Sequence, residues 1–296
     1  MSNPNRKVIF EISGGIGNQL FQFSAAKYFE FQNNLNIILK KQIKKELKLT
    51  QDESLSKLFK KLEMFADKNE AGRLQILLAK IDRYLARNSE AYAKVRKIFV
   101  AHEPGFIEIE PNFEKQKIIR GYFQSYLYAE HSKIQIIDAI NNLETSSWTK
   151  YKIAEAGTIK PIAIHIRRGD YVSQASRYGL LGKEYYLKAL GKISEISNIN
   201  AVWIFSDEGD SILESVIGME YPVTVIIKPP EVTDLDILLI MSKCSFHVIA
   251  NSTYSWWAAF LSDSTQKIYY PEPWTISGIN PSKLIPPYWV GIDSGW

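Results

Sequence analysis

The chain has one cysteine in 296 residues, Cys244, set in the apolar stretch LLIMSKCSFHVIA. An intramolecular disulfide is therefore excluded, and with only four scattered histidines no metal cluster is evident. A packed core thiol is expected instead. Long hydrophobic runs are also missing: MSNPNRKVIFEIS, at the N-terminus, holds an apolar core of about five residues, too short for a signal sequence or a membrane span. A cytoplasmic protein is the expectation. Internal repeats and low-complexity tracts are absent, so solenoids and disordered tails do not apply.

Hydrophobic residues make up 46% of the chain, enough at this length for one large domain or two ordinary ones. The net charge of +4 hides an asymmetry. Residues 40–97 carry sixteen Lys/Arg against eight Asp/Glu, a balance of +8, and the remainder is −4. In that segment Leu55, Leu58, Phe59, Leu62 and Phe65, then Leu74, Leu77, Leu78, Ile81 and Leu85, recur at helical spacing. Two readings stand for it: solvated helices, or a surface resting peripherally on an anionic membrane or an acidic acceptor. Nucleic acid is disfavoured, because no nucleic-acid-binding module accompanies the charge.

From residue 161 onward, short β-rich runs alternate with helical ones: PIAIHIR, KEYYLKALGKISEI, AVWIFSD, DSILESVI, VTVIIK, DLDILLIMSK, FHVIAN, YSWWAAFLS, KIYYP. This rhythm predicts βαβ units and a parallel sheet. The first half is less regular, with strands expected at KVIFEI, NIILK and KIIRGYF around the basic helical insertion at about 40–97. The predicted domains are 1–158 and 159–296, divided in the stretch TSSWTKYKIAEAGTIKP. The tail after Pro271 is expected to pack irregularly.

Ligands of parallel sheets bind beyond the carboxyl ends of the strands. The unusual residues of the second half fall there: RRGD at 167–170, SDE at 206–208 and NSTYSWW at 251–257. Arg167 and Arg168 present forked, permanent cations suited to phosphate, and Asn251, Ser252 and Thr253 would add donors at a helix start. Adjacent strand residues point to opposite faces, so an ion pair is expected to hold one of the two arginines. Asp207 and Glu208 are acceptors, as a ribose or guanine edge requires, or else ordinary helix caps. Asp234 and Asp236 have the spacing of a metal-binding Asp-x-Asp element, but they open an apolar helix after Thr233. Capping explains them, and no metal site is predicted.

In the first half SGGIGNQLFQFSAAKYFE is a glycine-rich turn into a helix. Leu20 stands where a dinucleotide fingerprint needs glycine, which argues against NAD. Gly14, Gly15 and Gly17 permit close approach of a ligand to the backbone, and Asn18 and Gln19 place amides at the helix start.

Together these stretches resemble the α1,2-fucosyltransferase family. The match runs from GGIGNQLFQFSAAKYF through GYFQSYLY and HIRRGDY to DLDILLIMSKCSFHVIANSTYSWWAAFL, in family order. The resemblance implies an α/β, GT-B-like fold, with two Rossmann-like domains facing each other across a cleft. It further implies an inverting, metal-independent transfer of L-fucose from GDP-L-fucose to the 2-hydroxyl of a terminal β-galactoside, with no further cofactor. The acceptor is an oligosaccharide, with a lipid-linked form left open. On this basis Arg167 or Arg168 holds the β-phosphate, Asp207 reads the nucleotide, Ser252 and Thr253 lie on the phosphate-binding turn, and Asn18 faces the donor. Ala258, Glu208 and the YLYA segment depart from the usual pattern, which bears on the acceptor more than on the reaction.

Arg168, Asp170 and Asn18 are therefore the candidate catalytic residues, and Gly15, Gly17, Gln19, His165, Arg167, Asp207, Asn251, Ser252 and Thr253 the candidate substrate contacts. Asp170 is the first candidate base, with a salt bridge to Arg167 or Arg168 as its structural alternative. His165, inside a strand, and His247 rank below it. The competing functions are fucosyl transfer to another hydroxyl or to a protein, an NAD-binding oxidoreductase, and a glycan-binding protein without catalysis.

Overall fold

The computed structural model describes residues 6–41, 58, 73–207, 220–263, 267–277 and 280–296. The chain divides into two compact units: Met1–Leu143 with Pro281–Ile285, and Glu144–Asn280 with Pro286–Trp296.

The first unit runs β1 (Lys7–Ile12), α1 (Ile16–Asn33), β2 (Asn36–Lys41), α2 (Arg73–Asn88), α3 (Glu90–Val95), β3 (Ile98–Val100), β4 (Ile118–Arg120) and α4 (Tyr126–Asn141). Its sheet is parallel, in the order β2-β1-β4-β3. Alternation in β1 buries Val8, Phe10 and Ile12 on one face. Phe29 of α1 stacks 6.4 Å from Phe10 and, at 5.6 Å, meets Tyr128 of α4 at an angle. On α1, Leu20, Phe21, Phe23, Ala25, Ala26 and Phe29 are all buried. Each large side chain so buried contributes about 1.5–3 kcal/mol. Arg120 at the end of β4 pairs with Glu11 of β1 at 2.8 Å and with Asp82 of α2 at 2.7 Å, tying the basic helix to the sheet.

The second unit runs α5 (Ser147–Ile159), β5 (Ile162–Ile166), α6 (Gly169–Val172), α7 (Ala175–Tyr178), α8 (Lys183–Ser194), β6 (Val202–Ser206), β7 (Val223–Val225), α9 (Asp234–Ser242), β8 (Phe246–Val248), α10 (Thr253–Phe260), β9 (Lys267–Glu272) and β10 (Val290–Asp293). All six strands are parallel, in the order β10-β9-β8-β5-β6-β7. β5 is buried along its whole length, as a central strand covered on both faces must be. Ile162, Ile164 and Ile166 pack with Tyr185, Tyr186, Ala189, Leu190 and Ile193 of α8.

Two expectations change. The division falls at Leu143/Glu144 rather than at 158/159, because the supposed linker is helical: Ser146 caps α5 by accepting from the Thr149 amide at 3.0 Å, and α5 packs with α9 in the second unit. The tail is not wholly irregular either, since Val290–Asp293 adds β10 in register with Tyr269–Glu272 of β9. The helix expected at DSILESVI and most of the segment 42–72 lie outside the described residues.

Candidate active site

The register of the second sheet brings its distant motifs to one edge. His165 aligns with Phe205 and Ile166 with Ser206, so the residues leaving β5 and β6 emerge side by side. There the Asp207 carboxylate takes hold of both arginine positions. Its Oδ2 lies 2.8 Å from Arg167 Nη1, and its Oδ1 accepts from the Arg168 backbone amide at 3.1 Å. Gly169 is what lets this happen, since a Cβ at that position would collide with Asp207 Oδ2. The strand has ended before the arginines, so the alternation that would send them to opposite faces no longer governs them.

The expected ion pair for one arginine is present, and Asp207 is its partner. Asp207 is therefore occupied by the protein itself, although each carboxylate oxygen keeps a further acceptor site. Glu208 lies outside the described residues. Asp170 falls in α6, immediately after Gly169; only its backbone is described.

Two tyrosines that received no role from the sequence complete this edge. The Arg167 guanidinium sits over the Tyr171 ring at 5.4 Å, and Tyr171 stacks on Tyr178 at 4.8 Å. Tyr171 donates its hydroxyl to the Asn251 carbonyl at 3.1 Å, and Asn251 Nδ2 donates to the Tyr178 carbonyl at 2.7 Å. The arginine platform is thus buttressed through aromatic stacking against the turn before α10. The visible signal was Tyr171 itself, inside HIRRGDY, but nothing in the sequence pairs it with Tyr178.

On that turn Ser252 is the N-cap of α10, its hydroxyl accepting from the Tyr254 amide at 3.4 Å. Asn251 and Ser252 are buried, and Thr253 opens the helix half-exposed. The positive end of α10 consequently lies at the carboxyl edge of β8, a favourable position for an anion.

The histidines behave as interior groups. His165 is 5% exposed, its Nδ1 has no hydrogen-bond partner, and burial, reinforced by the charge of Arg167, pushes its pKa down to about 3. His247 is fully buried, bonds the Met241 carbonyl through Nε2 at 2.9 Å, and is pushed down to about 4, mainly by burial. Both rings are neutral at physiological pH. Cys244 is buried and its thiol is pushed up, which makes it an inert core group.

Asp236 completes a capping box: Thr233 Oγ1 accepts from the Asp236 amide at 3.2 Å, while the Asp236 carboxylate accepts from the Thr233 amide at 3.0 Å. Asp234 pairs with Lys228. These contacts account for both acidic residues, and no group of three His, Cys, Asp or Glu able to hold a metal occurs among the described residues.

In the first unit, Gly14 adopts φ +84°, a conformation that favours glycine, and a Cβ there would lie 2.7 Å from Asn18 Nδ2. The turn is stapled from within α1. Gln19 Nε2 donates to the Gly14 carbonyl at 2.8 Å, and Gln22 Oε1 accepts from the Ser13 amide at 2.8 Å. Asn18 Oδ1 accepts from Gln124 Nε2 at 2.8 Å. Gly15, the uncapped N-cap of α1, has open space where a side chain would point, and Gly17 is buried in the first turn. Gln19 is 7% exposed and shapes the loop from inside. Gln22, not singled out from the sequence, has the same part.

Two parallel-sheet, Rossmann-like α/β units in one chain are the architecture of the GT-B class of glycosyltransferases. The chain belongs to glycosyl transferase family 11, whose model matches residues 7–274. It is 27% identical to the O-antigen biosynthesis glycosyltransferase WbnK of Escherichia coli over 95% of this chain and 99% of that protein. To an alpha-1,2-colitosyltransferase of Escherichia coli it is 24% identical, over 97% and 99% of the two chains. Among solved structures, the alpha-1,6-fucosyltransferase NodZ co-crystallised with GDP superposes with a TM-score of 0.51 and 14% identity, covering 89% of this chain and 94% of that one. At that identity the likeness concerns the fold.

Proposed function

We propose that this family 11 glycosyltransferase moves L-fucose from GDP-L-fucose to the 2-hydroxyl of a terminal β-galactoside, with inversion and without a metal ion, in the cytoplasm. The observation that carries the proposal is the Asp207 clamp on Arg167 and Arg168 beside the start of α10. Rupture of the bond between the anomeric carbon and GDP leaves charge on the β-phosphate. Fixed guanidinium and backbone N–H donors stabilise that charge most in the transition state, and one such donor is worth about 10² to 10³ in rate.

In this scheme Arg168 is the phosphate contact, and Arg167, held by Asp207 and stacked on Tyr171, fixes the platform beside it. Asp170 takes the proton of the attacking hydroxyl. His165, held neutral and buried, does not compete for that task. The α1,2 linkage draws support from the name of the colitosyltransferase relative, and an oligosaccharide acceptor from that of the O-antigen relative. The former also favours a second reading, a colitosyl donor in place of the fucosyl one.

Incubating the enzyme with GDP-fucose and a β-galactoside, followed by NMR assignment of the product, tests both. Fucose on the 2-hydroxyl in the α configuration is expected. Linkage to another hydroxyl, or turnover only with a colitosyl donor, contradicts the first reading.

A further inference from the structure

The part of the basic segment that the structure describes presents a surface that has no part in the site described above. On α2, Leu74, Leu77, Leu78, Ile81 and Tyr84 are each between 45% and 68% exposed. Their spacing places them in one stripe along the helix. The opposite side faces the protein: Ala86 is buried, and Asp82 reaches Arg120 at 2.7 Å and Arg96 at 3.3 Å. The stripe therefore faces away from the sheet.

Lys80, Arg83 and Arg87 repeat at the same helical spacing and border the stripe on one side. Across residues 74–97 Lys and Arg number six and Asp and Glu two, Asp82 and Glu90. Asp82 is engaged by Arg120, Arg96 and the Tyr92 hydroxyl, on the side of the helix away from the exposed Lys80 and Arg87. A protein interior has no use for a helix arranged this way. A large apolar stripe beside a cationic flank on a helix of modest overall hydrophobicity suits one environment, the boundary between anionic headgroups and acyl chains. No helix among the described residues is long and apolar enough to cross a membrane, so contact by this helix would be in the plane of the surface.

We infer that α2 docks the protein onto an anionic lipid bilayer, its leucine stripe entering the headgroup boundary and Lys80 and Arg87 pairing with lipid phosphates. The inference does not depend on the fucosyl-transfer proposal. Docking would hold the enzyme where a lipid-carried acceptor is presented.

Co-sedimentation of the full chain with vesicles tests it. Binding is expected with vesicles containing phosphatidylglycerol, weak binding with phosphatidylcholine alone, and release as salt shortens the screening length. Lys80→Ala/Arg87→Ala should lower partitioning by about fivefold for each charge removed. Leu77→Asp/Ile81→Asp should abolish it, with the circular dichroism spectrum and transfer to a soluble acceptor unchanged. Equal affinity for neutral and anionic vesicles, or indifference to both double variants, overturns the inference. So does absence of vesicle binding, whether or not the stripe instead pairs two copies of the chain in a dimer seen by analytical ultracentrifugation.

Discussion

Asp207 Oδ2 stands 2.8 Å from Arg167 Nη1, a pairing between residues forty positions apart that the β5–β6 register creates. Both side chains are partly exposed, so the pair adds little to stability, about 0–1 kcal/mol. Its value is positional. Asp207→Ala should leave thermal denaturation nearly unchanged while lowering kcat/KM by about 10- to 100-fold, the range for losing a charge-assisted hydrogen bond. A large fall in Tm with kcat/KM preserved would reverse that assignment.

The glycine turn of the first unit gives a contrast between neighbours. Gly14→Ala forces a side chain into a left-handed conformation and against Asn18, and should cost roughly 1–2 kcal/mol. Gly15→Ala meets nothing and should be near neutral in stability. Urea denaturation of the two variants measures the difference; equal losses would mean that the turn is held by something other than its backbone shape.

His247 makes stability depend on pH in a defined direction. Its folded pKa, about 4, is depressed below the ordinary 6.5, so between those values the unfolded chain binds more protons than the folded one. The stabilising effect of the neutral ring is present above about 6.5 and drains away as the pH falls toward 4. The slope is roughly 1.4 kcal/mol per pH unit. His247→Gln should lessen the slope of the stability profile across that window, with His165 keeping its own contribution of the same sign, and a profile unchanged by the substitution contradicts the burial argument.

Thr233 and Asp236 form a helix cap. Thr233→Ala should cost about 0.5–2 kcal/mol in stability. EDTA should leave transfer unaffected in wild type. Loss of activity on chelation, restored by Mn²⁺, would return Asp234 and Asp236 to consideration as metal ligands.

Much of the second unit was legible because its central strands are buried on both faces and read as mostly apolar runs, Ile162–Ile166 and Val202–Ser206 among them. β3 and β10 were not, because three or four residues carry no periodicity and their pairing is decided by neighbours distant in sequence. α5 escaped for a different reason: only Thr149 and Ala156 on it are buried, so it lacks an apolar stripe. At the site, the residue types at the strand ends were visible. Their partners were not: the Asp207–Arg167 pair depends on the β5–β6 register, and the Tyr171–Tyr178 stack on how the chain folds back after α6.

Calorimetric titration of GDP into wild type and Arg168→Ala, with circular dichroism confirming that both are folded, bears most directly on the central claim. The arginine cradle predicts that wild type binds GDP and that Arg168→Ala binds at least tenfold more weakly, the loss of one charge-assisted contact of about 1.5–3 kcal/mol. Equal affinity in the two proteins, or no GDP bound by either, would contradict it.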